Sequence, residues 1–115
     1  MSYKLYFETN EQIFAEFIQL ITSLKESIDD NIMILFNKDG MRIHRETDEN
    51  FILCASWDAT NEIFSNYFCP IDIKILVNLQ EFYDNLIFIF KKNLYEIYIW
   101  QITDDDNDNL YIYPK

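Results

Sequence analysis

Apolar residues recur along this chain at two spacings, and each change of spacing marks an element boundary. The clearest change falls at Asn78. Before it, Asp72-Ile73-Lys74-Ile75-Leu76-Val77 is rich in β-branched residues and predicts a strand. After it, Leu79, Phe82, Tyr83 and Leu86 recur at helical spacing and predict a short helix around Gln80 to Asn85. Asn78 fits the N-cap between them, since its side chain can accept a backbone N–H two or three residues on. The same order opens the chain. Lys4 to Glu8 reads as a strand, Thr9 or Asn10 as a cap, and about Glu11 to Ser27 as a helix. That helix gathers Ile13, Phe14, Phe17, Ile18, Leu20, Ile21 and Leu24 on one broad stripe, with Gln12, Glu16, Gln19, Ser23 and Glu26 opposite.

Between and after the helices the pattern is mostly strand. Ile32 to Phe36 and Met41 to Glu46 flank Asn37-Lys38-Asp39-Gly40, a hairpin turn whose Asp-Gly supplies positive φ angles. A turn over Thr47 to Asn50, a strand from Phe51 to Trp57, a loop from Asp58 to Glu62 and a strand from Phe64 to Cys69, ended by Pro70, follow. The next strand, Ile71 to Val77, leads into the second helix. Leu86 to Phe90 reads as strand or buried helix; its β-branched and aromatic content and the Lys91-Lys92-Asn93 turn favour strand. Leu94 to Gln101 is its partner, and Leu110 to Tyr113 is a last strand. The expected architecture is one α+β domain over residues 1–115, with an internal pseudo-repeat of about 1–63 and 64–115. Two helices would pack on one face of curved antiparallel sheet.

Composition narrows the function. The chain of 115 residues is 50% hydrophobic and 17% aromatic, which argues against disorder. Its net charge of −11 repels bare nucleic acid unless cations gather on one face, and repels an anionic membrane. No apolar run is long enough to span a bilayer. Met1-Ser2-Tyr3-Lys4 has no signal-peptide pattern, and Cys54 and Cys69, isolated in apolar segments, read as reduced core thiols of an intracellular protein. No catalytic residue, cofactor or metal is expected. His44 is the one histidine and lacks the partners of a zinc site. The single glycine excludes a Gly-rich phosphate loop. The acidic loop Asp104 to Asn109 lacks the Gly and late Glu of a calcium-binding EF-hand.

Two segments carry a family resemblance. One is Asp39-Gly40-Met41-Arg42-Ile43 through Phe51-Ile52-Leu53. The other is Phe64 and Tyr67 through Cys69, then Val77-Asn78-Leu79. In this order and spacing the chain resembles one domain of the DNA sliding clamps, the proliferating cell nuclear antigen family, over almost its whole length. The resemblance implies a DNA-clamp-like domain in a non-enzymatic processivity factor. Such a ring encircles double-stranded DNA and tethers a DNA polymerase or other replication proteins. The chain would be either one domain of a longer clamp or a subunit of a homo-oligomeric ring.

The resemblance also implies where sites would lie. Gln12, Glu16, Gln19, Ser23 and Lys25 of the first helix, with Glu81 and Asp84 of the second, would face DNA. The family presents Lys and Arg there, so these positions are either a weakly attractive wall or an ordinary solvated face. Glu46, Asn50, Phe51 and Leu53 would form the partner pocket, unless Phe51 and Leu53 are core residues. Phe64, Tyr67 and Phe68 on one side and Leu110, Tyr111, Ile112 and Tyr113 on the other would be assembly edges, unless loops cover them. The alternative function is a stand-alone clamp-fold module that scaffolds replication or transcription proteins without encircling DNA; a small enzyme is a distant third. Abundant Ile, Asn, Lys, Asp and Tyr suit an AT-rich genome such as a large DNA virus. The expected location is the nucleus or a cytoplasmic viral replication site.

Overall fold

A computed structural model describes residues 2–27, 31–46, 50–60, 62–91, 96–104 and 109–115. In chain order the elements are β1 (Tyr3–Asn10), α1 (Glu11–Ser27), β2 (Asn31–Asn37), β3 (Gly40–Glu46), β4 (Phe51–Asp58) and β5 (Ser65–Phe68). Then come β6 (Ile73–Asn78), α2 (Leu79–Phe90), β7 (Ile97–Thr103) and β8 (Tyr111–Pro114). The chain is α+β, as expected, and among the described residues it has two helices and two four-stranded antiparallel sheets. One sheet has the order β5-β1-β7-β8 and the other β4-β3-β2-β6.

The two halves are crossed. β1 leads into α1 but pairs with β7, the strand after α2. β6 leads into α2 but pairs with β2, the strand after α1. The registers correspond: Asn10 opposes Ile97 where β1 ends, and Asn78 opposes Asn31 where β6 ends. Each strand-end asparagine caps its helix. Asn10 Oδ1 accepts the Ile13 amide at 2.8 Å, and Asn78 Oδ1 accepts the Glu81 amide at 3.0 Å. Thr9, the other expected cap, lies within β1, and its hydroxyl accepts the indole N–H of Trp100 at 3.0 Å.

That bond sits in an aromatic core between the sheets. Phe7 stacks on Trp100 (5.2 Å), Phe14 on Tyr98 (3.9 Å), and Phe17 meets Trp100 edge-on (4.9 Å). Phe17 also meets Phe82 edge-on at 5.8 Å, which holds α1 against α2. Gly40 closes the β2–β3 hairpin at φ +141°; a Cβ there would run into the Trp57 carbonyl oxygen.

Residues 86–90 form the second half of α2, not a strand, so among the described residues two strands follow that helix instead of three. Leu79, Phe82 and Leu86 are buried at i, i+3 and i+7, and the stripe continues to Phe90, whose ring lies 6.1 Å from Phe14. The Lys91 amide closes the last turn on the Ile87 carbonyl at 2.9 Å. A helix needs only one buried face, so Phe88 is left 65% exposed. Phe64 lies before β5 and Leu110 before β8, outside the strands expected to hold them. Parts of the expected turns at 47–50 and 91–93, of the strand at 94–101 and of the acidic loop at 104–109 lie outside the described residues.

Candidate functional site

The helix pair has its apolar stripe inward, so the opposite residues are set by elimination. Gln12, Glu16, Gln19 and Ser23 of α1 and Glu81 and Asp84 of α2 are exposed. Ser23 Oγ donates to the Gln19 carbonyl, and Gln80 Nε2 donates to Asp84 at 2.9 Å. Lys25, the one cation of α1, is half-buried with its ammonium 4.3 Å from the centre of the Tyr83 ring. α1 therefore sets Glu11, Glu16 and Glu26 against one stacked lysine, and α2 sets Glu81 and Asp84 against no cation. Both surfaces repel phosphate.

At the expected partner pocket the structure places an exposed strip. Glu46 opposes Phe51 in the β3–β4 ladder, and Asn50 Oδ1 accepts the Phe51 amide at 2.9 Å. Phe51 and Leu53 are 41% and 54% exposed, so neither is a core residue. The register shifts between Ile43 and His44: Ala55 opposes Ile43, but Leu53 opposes His44, and Ile52, opposite Arg45, is 50% exposed as well, so this end of the edge strand is open on both faces. Cys54 is the extra residue of a bulge. Beyond it every β4 side chain changes face. Trp57 and Ala55 stay with the core-facing Met41 and Ile43, while Leu53 and Phe51 move to the outer face.

The expected assembly edges divide. β5 and β8 are the edges of one sheet, β4 and β6 of the other. Phe64 and Tyr67 point inward. Phe64 is 1% exposed with its ring 4.6 Å from Phe7, and the Tyr67 hydroxyl shares its one hydrogen between the Asn37 and Gly40 carbonyls, at 2.6 and 2.9 Å. Burial raises the Tyr67 phenol far above its usual value. Phe68, Tyr111 and Tyr113 are exposed, whereas Leu110 and Ile112 are half-buried. β5 is a poor template for another strand, being short and broken by Asn66 at φ +55°.

Among the described residues Glu8 is the buried charge. It is 6% exposed on β1 and accepts from Tyr6 Oη at 2.8 Å and from Asn66 Nδ2 and Lys115 Nζ, each at 3.3 Å. Burial pushes its pKa up, but these three donors outweigh burial and hold the carboxyl below its usual value. Tyr6 is pushed up to about 12 by burial and by its bond to Glu8. This cluster ties β1 to β5 and to the residue after β8. Cys54 and Cys69 are free, and burial raises the Cys69 thiol, so it does not form a ready thiolate. His44 is half-buried. Among the described residues no three His, Cys, Asp or Glu side chains cluster, and no helix is long and apolar enough to cross a membrane.

One feature was not foreseen. Between β6 and β8, over α2, run two adjoining hollows of about 300 and 410 Å³ that share Phe82, Asn85 and Leu110. Reading 86–90 as a strand hid them, because it placed sheet where the helix forms the floor. No family model matches this chain, and no curated protein matches it.

Proposed function

We propose that the chain is a non-enzymatic tether of the sliding-clamp kind, whose copies join edge to edge into a ring around double-stranded DNA and hold a DNA polymerase or another replication protein there. The observation that carries this reading is the crossed pairing of the halves. It sets α1 and α2 side by side and leaves β4 and β8 as free edges of different sheets. β4 replaces β5 as the proposed mate of β8, because it is eight residues long and unbroken by left-handed backbone. The ordered resemblance from Asp39 to Leu79 supports the same reading. Phe51 and Leu53 then serve as the apolar contact for the tethered protein. The ring holds by topology, so acidic helix surfaces are tolerated and direct DNA contacts are weak.

Retention on DNA tests this. After loading, the protein should stay on closed circular duplex and slide off the same duplex once linearised; equal retention on both rules out topological tethering.

The acidic helix surfaces and the stacked Lys25 favour a second reading, a clamp-fold scaffold that binds replication or transcription proteins without encircling DNA. It predicts no retention on either duplex.

A further inference from the structure

The crossed halves allow position-by-position comparison, and the second half lacks a cover that the first has. Taking Asn78 as the counterpart of Asn10, Ile75 corresponds to Phe7 and Val77 to Thr9. The paired registers make Ile112 the counterpart of Ile43, and Leu110, one residue before β8, takes the place of Met41 if that register is continued. Phe7, Thr9, Met41 and Ile43 are at most 2% exposed. Ile75, Val77, Leu110 and Ile112 are all only half-buried. The difference lies in β5. It pairs with the outer edge of β1 and drops Phe64 and Tyr67 into the gap between β1 and β3. The Tyr67 hydroxyl there takes both carbonyls of the β2–β3 hairpin. Among the described residues no strand pairs with the outer edge of β6, and the corresponding gap is the groove over α2.

We infer that this groove takes an extended segment of a separate polypeptide, added as a strand to the free edge of β6. β5 defines its chemistry: large apolar or aromatic side chains three residues apart enter the groove, as Phe64 and Tyr67 enter the gap beside β1, with an Asn or Gly between them to take the left-handed backbone that Asn66 has and so bring both to one face. Charge defines its flanks. Among the described residues Glu81 is the charged one lining the groove and no cation lines it, and the chain carries −11, so the flanks are neutral to basic. Backbone pairing supplies affinity and the two side chains supply selectivity. This goes beyond the tether reading and uses β6, not the β4 and β8 edges, so either can fail without the other.

The probe is a synthetic peptide copying residues 63–68 with two lysines at each end, tested on the full chain by fluorescence anisotropy and backbone hydrogen exchange. Saturable binding is expected, with at least tenfold slower exchange of the β6 amides. Affinity should fall at least tenfold when the peptide residues copying Phe64 and Tyr67 become serine. Asn85→Trp, which fills the groove from an exposed position on α2, should cause a similar loss. Absence of binding, binding indifferent to the serine peptide, or protection elsewhere than β6 would overturn the proposal. So would concentration-dependent protection of β6 without peptide alongside a doubled mass, since the occupant would then be a second copy. If Asn85→Trp does not fold, the serine peptide decides alone.

Discussion

Asn10 and Asn78 stand at corresponding ends of β1 and β6, and each accepts the backbone amide three residues ahead, Ile13 in one case and Glu81 in the other. Each therefore ends a strand and starts a helix at one position. Asn10→Ala and Asn78→Ala should each cost about 1 kcal/mol in urea denaturation, with Asp at either site close to wild type. A loss below about 0.3 kcal/mol at both sites would mean that packing alone sets the helix starts.

The Glu8 cluster makes stability depend on pH at both extremes. Folding lowers the Glu8 pKa, so its contribution is complete above the ordinary value of 4.5 and is lost as pH falls through the lower folded value. Folding raises Tyr6 from 10.0 to about 12, so its contribution is complete below 10.0 and is lost as pH rises through the folded value. Glu8→Gln should flatten the acid limb of a stability-versus-pH curve, and Tyr6→Phe the alkaline limb. Unchanged limbs would show that other groups set them.

The Cys54 bulge predicts opposite outcomes for two apolar residues of adjacent strands. Leu53→Asp, on the outer face, should change stability by no more than about 0.5 kcal/mol. Ile43→Ala, 0% exposed beneath the same sheet, should cost about 2–5 kcal/mol. A large loss from Leu53→Asp would place Leu53 in the core and remove the bulge.

The edge of β8 offers one outward donor. The Lys115 amide donates to the Ile97 carbonyl, and alternate residues of an antiparallel strand bond to the same neighbour. The Tyr113 and Tyr111 amides therefore face β7, the Ile112 amide faces away, and Pro114 has none. Ile112→Pro should dissociate an assembly built on β8 while leaving folded monomers. An unchanged mass would show that copies join elsewhere.

Elements were legible wherever a local signal set them. The α1 stripe, its Glu11 start, the Asp39-Gly40 hairpin and the Asn78 cap all follow from spacing and turn chemistry. Residues 86–90 were misread because a run that is apolar at every position has no period; only the neighbouring core decides between helix and strand. The bulge at Cys54 was invisible for a related reason. Residues 51–55 are apolar at every position, so no alternation assigns a face, and a single extra residue opposite β3 decides which of these side chains share the face of Ile43. Phe64 and Tyr67 looked like edge residues by position, yet both point inward. The groove over α2 emerged only once strand pairing showed which edge β5 covers and which stays open.

Solution mass by light scattering, across protein concentration and salt, tests the tether reading most directly. A closed assembly of about six copies, with a mass that stays constant once formed, is the predicted result. A monomer at every concentration would contradict a ring built from copies of this chain alone.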